Sequence, residues 1–119
     1  MIEINIQKIA HLYSIKGVSL FPLIGTVRNG FYRHDAIRLI NIMLTEVVPV
    51  IGIDIFLLKN NILTFTDTYD NWYCDRIMNE SFSKYTLRSC ANAKRYIEDY
   101  NPKGAIPVFD ITIFDFKFL

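Results

Sequence analysis

The sequence predicts an α+β fold, a single domain whose antiparallel sheet carries its helices mainly on one face. Three observations carry this. Ala36, Ile40, Met43 and Val47 follow Asp35 at helical spacing, with Leu39 and Leu44 beside them. Two runs rich in β-branched and aromatic residues, 51–59 and 62–66, meet across Asn60-Asn61, a pair that tolerates positive φ and reads as a tight hairpin. The run 106–118 interleaves Val108, Asp110, Thr112, Phe114 and Phe116 with Phe109, Ile111, Ile113 and Asp115. Its two-faced apolar character predicts a long strand in the interior of the sheet.

Taken in order, the elements justify themselves locally. Asn5 is placed to cap a first helix over 5–13, since Ile6, Ile9, Ala10 and Tyr13 repeat at helical spacing. Ile2, Ile4 and Ile6 alternate as in a strand, a competing signal that the longer helical pattern outweighs. Gly17, Pro22, Gly25 and Gly30 make 17–31 an irregular connector with at most a short strand. A second helix runs over 35–47 and stops before Pro49. After the hairpin, a further extended segment covers 69–74. A third helix spans 83–100, capped by Ser83 or Ser81 and followed by Pro102, with Leu87, Cys90, Ala93, Ile97 and Tyr100 as its buried arc.

Composition narrows the function classes. A chain of 119 residues, 51% apolar and 21% charged, has the apolar content for one core and is not disordered by composition. Its longest apolar stretch, 47–58, is broken by Pro49, Gly52 and Asp54 and falls short of the roughly 20 residues that span a bilayer. Met1-Ile2-Glu3 opens without a basic region or cleavage site, so a cytoplasmic protein is expected. There Cys74, expected in a loop, and Cys90, expected on a helix's inner face, are expected as free thiols. His11 and His34 lie apart from further ligands, and neither metal nor cofactor is expected. A net charge of +1 speaks against global steering to nucleic acid or membrane.

The most informative stretch is Tyr69-Asp70-Asn71-Trp72-Tyr73-Cys74-Asp75, which holds the only tryptophan between two tyrosines and several carboxylates. Rings and negative charge in one loop are how many protein-binding hot spots are built. The alternative is that Trp72 plugs the core while its neighbours cap a turn. Asp54 sits inside the most apolar strand, on the face of Gly52 and Phe56 and away from Ile51, Ile53 and Ile55. It is either a structural carboxylate or a partner contact, with Gly52 leaving room beside it. An acid–base pair of Asp54 and Asp70 is conceivable, but no nucleophile, metal ligand set or oxyanion donor accompanies it. Lys84, Arg88 and Arg95 form a stripe on the third helix that reads as a solvated face, and no nucleic-acid signature is present. Acids are concentrated over 67–80 and bases over 84–95, a polarity suited to a protein partner with a complementary patch.

Ser19-Leu20, Gly25, Asp35-Ala36, Ile51-Gly52-Ile53-Asp54-Ile55-Phe56, Tyr69 to Cys74, Ser83, Ala91, Tyr96-Ile97 and Tyr100 occur in an order that resembles the immunity protein 40 family. These are small bacterial proteins associated with polymorphic toxin and contact-dependent inhibition loci. The likeness spans about residues 15 to 115 and rests on a Gly-Gly-Asp-Val-Tyr-like strand and an Asp-Asn-Trp-Tyr loop. The loop is kept, whereas the strand has Ile53 in place of the second glycine and Phe56 in place of tyrosine. The resemblance implies a non-catalytic immunity protein that blocks one cognate toxin domain in the cytoplasm. On it, Asp54, Tyr69, Asp70, Trp72 and Tyr73 are the expected partner contacts, rings as anchors and carboxylates pairing with Lys or Arg. The competing classes are a small-ligand or peptide-binding regulatory domain that uses the same loop as a pocket wall, a hydrolase using Asp54 and Asp70, and an RNA binder using the third helix.

Overall fold

A computed structural model of the chain describes residues 5–114. Helix α1 (Ile6–Leu12) begins where Asn5 accepts a hydrogen bond from the Lys8 amide at 2.8 Å. The alternation of Ile2 and Ile4 and the end of the last strand, with Asp115 and Phe116, lie outside the described residues. The expected connector folds as an excursion of three small pieces: strand β1 (Val18–Ser19), helix α2 (Phe21–Ile24) and strand β2 (Asn29–Gly30). Helix α3 (Arg33–Glu46) starts two residues before Asp35, which sits in its first turn and complements the positive helix end. Val47 was expected on the buried face; it instead terminates α3 in the left-handed conformation and is exposed.

Strand β3 (Val50–Lys59) organises the main sheet. On one side its outer half pairs with β4 (Ile62–Phe65) and its inner half with β5 (Asn71–Tyr73). On the other side β6 (Ile106–Ile113) runs antiparallel along nearly its whole length. The turn between β3 and β4 has Asn60 at φ +48° and Asn61 at φ +63°, the geometry the Asn-Asn pair is suited to. A bulge at Ile51 shifts the register between Val50 and Gly52, so that Val50 as well as Ile53 and Ile55 reaches the core, while Ile51 stays half-buried. Strand β6 is buried on both faces but was misplaced by the sequence pattern: it is an edge strand whose only ladder among the described residues is with β3. Its apolar outer face comes from cover by the connector, where Phe31 bridges its free edge through reciprocal 2.8 Å bonds with Phe109.

Helix α4 (Phe82–Asp99) is capped by Ser81, whose Oγ accepts from the Lys84 amide at 3.2 Å. Helices α1, α3 and α4 cover one face of the sheet, where Ile53, Ile55, Phe109 and Ile111 meet Leu39, Ile40, Met43, Cys90, Ala93 and Ile97. Ser89 sits fully buried in α4 because its hydroxyl accepts the Val50 amide at 3.1 Å, satisfying a donor that the bulge frees. Leu87, expected in the buried arc, is 60% exposed. Tyr85, Thr86 and Ser89 occupy that arc instead, because the helix is rotated to bring Tyr85 beneath the loop after β5. Both cysteines are free and buried; Cys74 lies in the loop after β5, as expected, but is packed against the protein there.

The opposite face is covered only in part. The excursion lays Leu20, with Val18, Leu23 and Ile24, over Phe56 and Val108 at the outer half of the sheet. Gly30 permits this approach, since a side-chain carbon there would lie 2.5 Å from Val108. Truncating Ile97 to alanine should lower stability by about 2–5 kcal/mol through the cavity it leaves, whereas Leu87→Ala should change it by less than about 0.5 kcal/mol, read by urea denaturation.

Candidate functional site: the open half of the sheet

Beyond the excursion, the second face of the sheet presents exposed Asn71 and Tyr73 and half-buried Asp54, with Gly52 buried beneath the Tyr73 ring. Strand pairing puts Asn71 opposite Asp54 and Tyr73 opposite Gly52, while Trp72 stands opposite Ile53. Alternation therefore divides the aromatic stretch between two surfaces. Tyr73 is 65% exposed and its ring lies across Gly52, where an added Cβ would come within 2.9 Å of two ring carbons. The space left by Gly52 is thus occupied by the protein's own tyrosine. Tyr69, at φ +51° in the turn before β5, is also exposed and packs on Phe65 with ring centroids 5.6 Å apart. Phe65 in turn rests on Phe56 at 5.7 Å. Phe65 was not singled out from the sequence, yet the two-residue hairpin loop places it opposite Phe56, on the face of Asp54.

Trp72 points the other way. It stacks on Tyr96 of α4 with ring centroids 6.2 Å apart and is half-buried against the main core. Asp70 lies on this helix side as well. Its carboxylate accepts from the Tyr100 hydroxyl at 2.6 Å and from the Thr68 hydroxyl, and its amide donates to Thr66 Oγ1 at 2.6 Å. These hydroxyl donors hold the Asp70 carboxyl below its ordinary range, Thr68 first and Tyr100 second. Burial, and then the same carboxylate, push the Tyr100 phenol well up. The structure brings Asp54, Tyr69 and Tyr73 together on the open face, and sets Asp70 and Trp72 behind them against α4. Asp54 lies on the face of Gly52 and Tyr73, whereas the Asp70 carboxylate is held toward α4 by the Tyr100 hydroxyl.

The loop from Cys74 to Glu80 is fastened by Arg88. Its guanidinium donates to both Glu80 oxygens at 2.8 and 2.7 Å, to the Asp75 carbonyl at 2.6 Å and to Cys74 Sγ at 3.0 Å. Tyr85 adds a 2.6 Å bond to the Cys74 carbonyl, and Arg76 donates to the Glu80 carbonyl at 2.8 Å. Arg88 thus leaves the solvated stripe expected for it and works as a clasp. The spacing of four that joins it to Lys84 gave no sign of this, because its partners lie in the loop and not on the helix.

The sequence model of the immunity protein 40 family matches residues 21–113, from α2 through β6. The chain belongs to the immunity protein 40 family. No curated protein and no solved structure matches it. Of the two residues at which the strand differs from the expected motif, Ile53 is buried in the core on the helix side, whereas Phe56 lies on the face of Asp54. Among the described residues no helix is long and apolar enough to cross a membrane.

The Arg88 bonds hold Glu80 at about 2. A carboxyl depressed on folding stabilises above its unfolded value near 4.5 and loses that contribution as pH falls toward its folded value. The stability advantage of the native protein over Glu80→Gln should therefore be constant near neutrality and shrink between about pH 4.5 and 2, measured by denaturation across that range. Tyr100→Phe, which frees one Asp70 oxygen, should cost about 1 kcal/mol at neutral pH in the same assay.

Proposed function

We propose that this protein is a cytoplasmic immunity protein of a bacterial toxin system, and that it neutralises one cognate toxin domain by covering its active or substrate-binding surface. Family membership supports the immunity role. The observation that carries the site is the exposure of Tyr69 and Tyr73 beside Asp54 on the uncovered half of the sheet. Large rings held rigidly at a surface lose little conformational freedom on binding and bring much apolar area, the usual make-up of an interface hot spot. Occlusion needs no chemistry from the immunity protein. It requires only complementary shape over an interface of about 1,600 Å² and a dissociation rate slow against the toxin's action.

In this reading the five candidate residues, four from the aromatic stretch and Asp54 from β3, have two roles. Asp54, Tyr69 and Tyr73 contact the toxin. Asp70 and Trp72 position them: the carboxylate pins the turn to Tyr100, and the indole anchors β5 on Tyr96. Phe65 joins the contact surface through its packing on Tyr69. Co-expression with the toxin domain encoded in the adjacent open reading frame should rescue growth and yield a co-purifying complex. A toxin that kills regardless of co-expression, with no complex recovered, contradicts the proposal.

The two roles separate by mutation. Tyr73→Ala should leave thermal stability within about 0.5 kcal/mol and raise the dissociation rate at least about tenfold in surface plasmon resonance. Trp72→Ala should instead lower stability by about 2–3 kcal/mol, since a half-buried indole stacked on Tyr96 is lost.

A further inference from the structure

Asp54 occupies a position whose charge the fold leaves uncompensated. On β3 it lies between Asn71 of β5 and Asp110 of β6, so two carboxylates face each other across one register position. Like charges directly opposite in a sheet repel. Asp110 is relieved by Arg28, which reaches over the edge of β6 and pairs with it through Nε. Through Nη2 the same guanidinium donates to the Ile111 carbonyl at 2.9 Å and to Thr112 Oγ1 at 3.3 Å. Arg28 is thereby committed to β6. The Asp54 carboxylate has no hydrogen bond or ion pair among the described residues. It is half-buried, in the middle of a sheet, with the exposed rings of Tyr73 and Tyr69 on the same face. Asp67 and Asp75 add exposed negative charge in the flanking loops, and no lysine or arginine occurs from residue 60 to 75.

We infer that the open face docks a basic segment of the partner protein, with an arginine of that partner seated against Asp54 and covered by the ring of Tyr73. This rests on the toxin-binding reading above and names the chemistry of the toxin surface it requires. A guanidinium suits the position better than an ammonium, because it is planar, weakly hydrated, forks onto a carboxylate and stacks on a tyrosine face. Seating it supplies the charge that Arg28 cannot, so the pairing answers a repulsion already built into the sheet. An anionic partner such as a nucleic acid meets that same surplus of negative charge and is repelled.

Two measurements on the full chain test this. In the first, binding of the adjacent toxin domain is followed at several salt concentrations for the native protein, Asp54→Asn, Tyr73→Leu and the charge-matched control Glu46→Gln at the far end of α3. Asp54→Asn should melt at or above the native temperature, raise Kd at least about tenfold and flatten the salt dependence of association, with Tyr73→Leu raising Kd as well and Glu46→Gln changing neither. In the second, tetra-arginine and tetra-citrulline peptides are titrated against nitrogen-15-labelled protein. Tetra-arginine alone should shift the amides of Asp54, Asn71 and Tyr73. A toxin that binds Asp54→Asn as tightly and with the same salt dependence overturns the inference while leaving occlusion intact. Tetra-arginine shifts centred on Asp54 without any toxin complex would support the basic-segment preference and sink the toxin reading. Tetra-arginine shifts spread over the acids of α3 and α4, or none at all, overturn it.

Discussion

The structure depends on the pairing of β3 along both of its edges. Strands β4 and β5 share one edge and β6 takes the other, so nearly every residue of β3 is locked in register. Once register is locked, the period of two assigns each neighbouring side chain to a face. Ile53, Ile55 and Trp72 go to the helices, and Asp54, Phe56, Asn71 and Tyr73 to the other side. A slip of one residue would bury Asp54 against Ile40 and Ile97 and expel Ile53, an exchange that the desolvation of a carboxylate forbids. The bulge at Ile51 ends this regime in a controlled way. It lets Val50 enter the core, and Ser89 takes up the amide that the irregularity would otherwise strand.

Rigidity of the open face comes from the side that is not open. Asp70 reaches through to Tyr100, Trp72 leans on Tyr96, and Arg88 gathers Cys74, Asp75 and Glu80 onto α4. Arg33 at the start of α3 completes the support by donating to the Ile97 carbonyl at 3.1 Å and to the Tyr100 carbonyl, which closes the end of α4. Each tie joins a loop, β5 or the start of α3 to α4 or its end, and α4 is itself packed on the core. Tyr69 and Tyr73 therefore stand exposed on backbone that is fixed from beneath, which lowers the ordering cost of any complex they enter.

Much of this could be read from residue order, and the misses have specific causes. The Asn60-Asn61 turn, the Ser81 or Ser83 cap and the alternation after Ile106 are local signals, and local signals survived. Leu87 and Val47 misled because helical spacing gives a face but not the rotation of the helix against the sheet. That rotation was set by Tyr85 and the Cys74 carbonyl, and by the left-handed end of α3. Within the aromatic stretch, residue types pointed to one surface where alternation makes two. Parity was legible for Asp54 and Gly52, and extending it across the hairpin and into β5 would have separated Tyr73 from Trp72. What no pattern could supply was Arg28 and Arg88, whose partners are distant in sequence or lie in an irregular loop.

The division between faces also bears on how such a protein could follow a changing partner. Asp54, Phe65, Tyr69 and Tyr73 contribute little to the main core, so substitutions there alter a surface without opening a cavity. Asp70, Trp72, Tyr96 and Tyr100 are tied to one another, and a change in any of them is felt by the rest. In the proposed function, recognition falls on positions that tolerate change and support on positions that resist it. Asp54 is the instructive case, because a neutral residue there would relieve the repulsion from Asp110 and improve the isolated fold. A position where the sheet would be better off without the charge is one whose residue is explained by something outside the sheet, and the partner is the natural place to look for it.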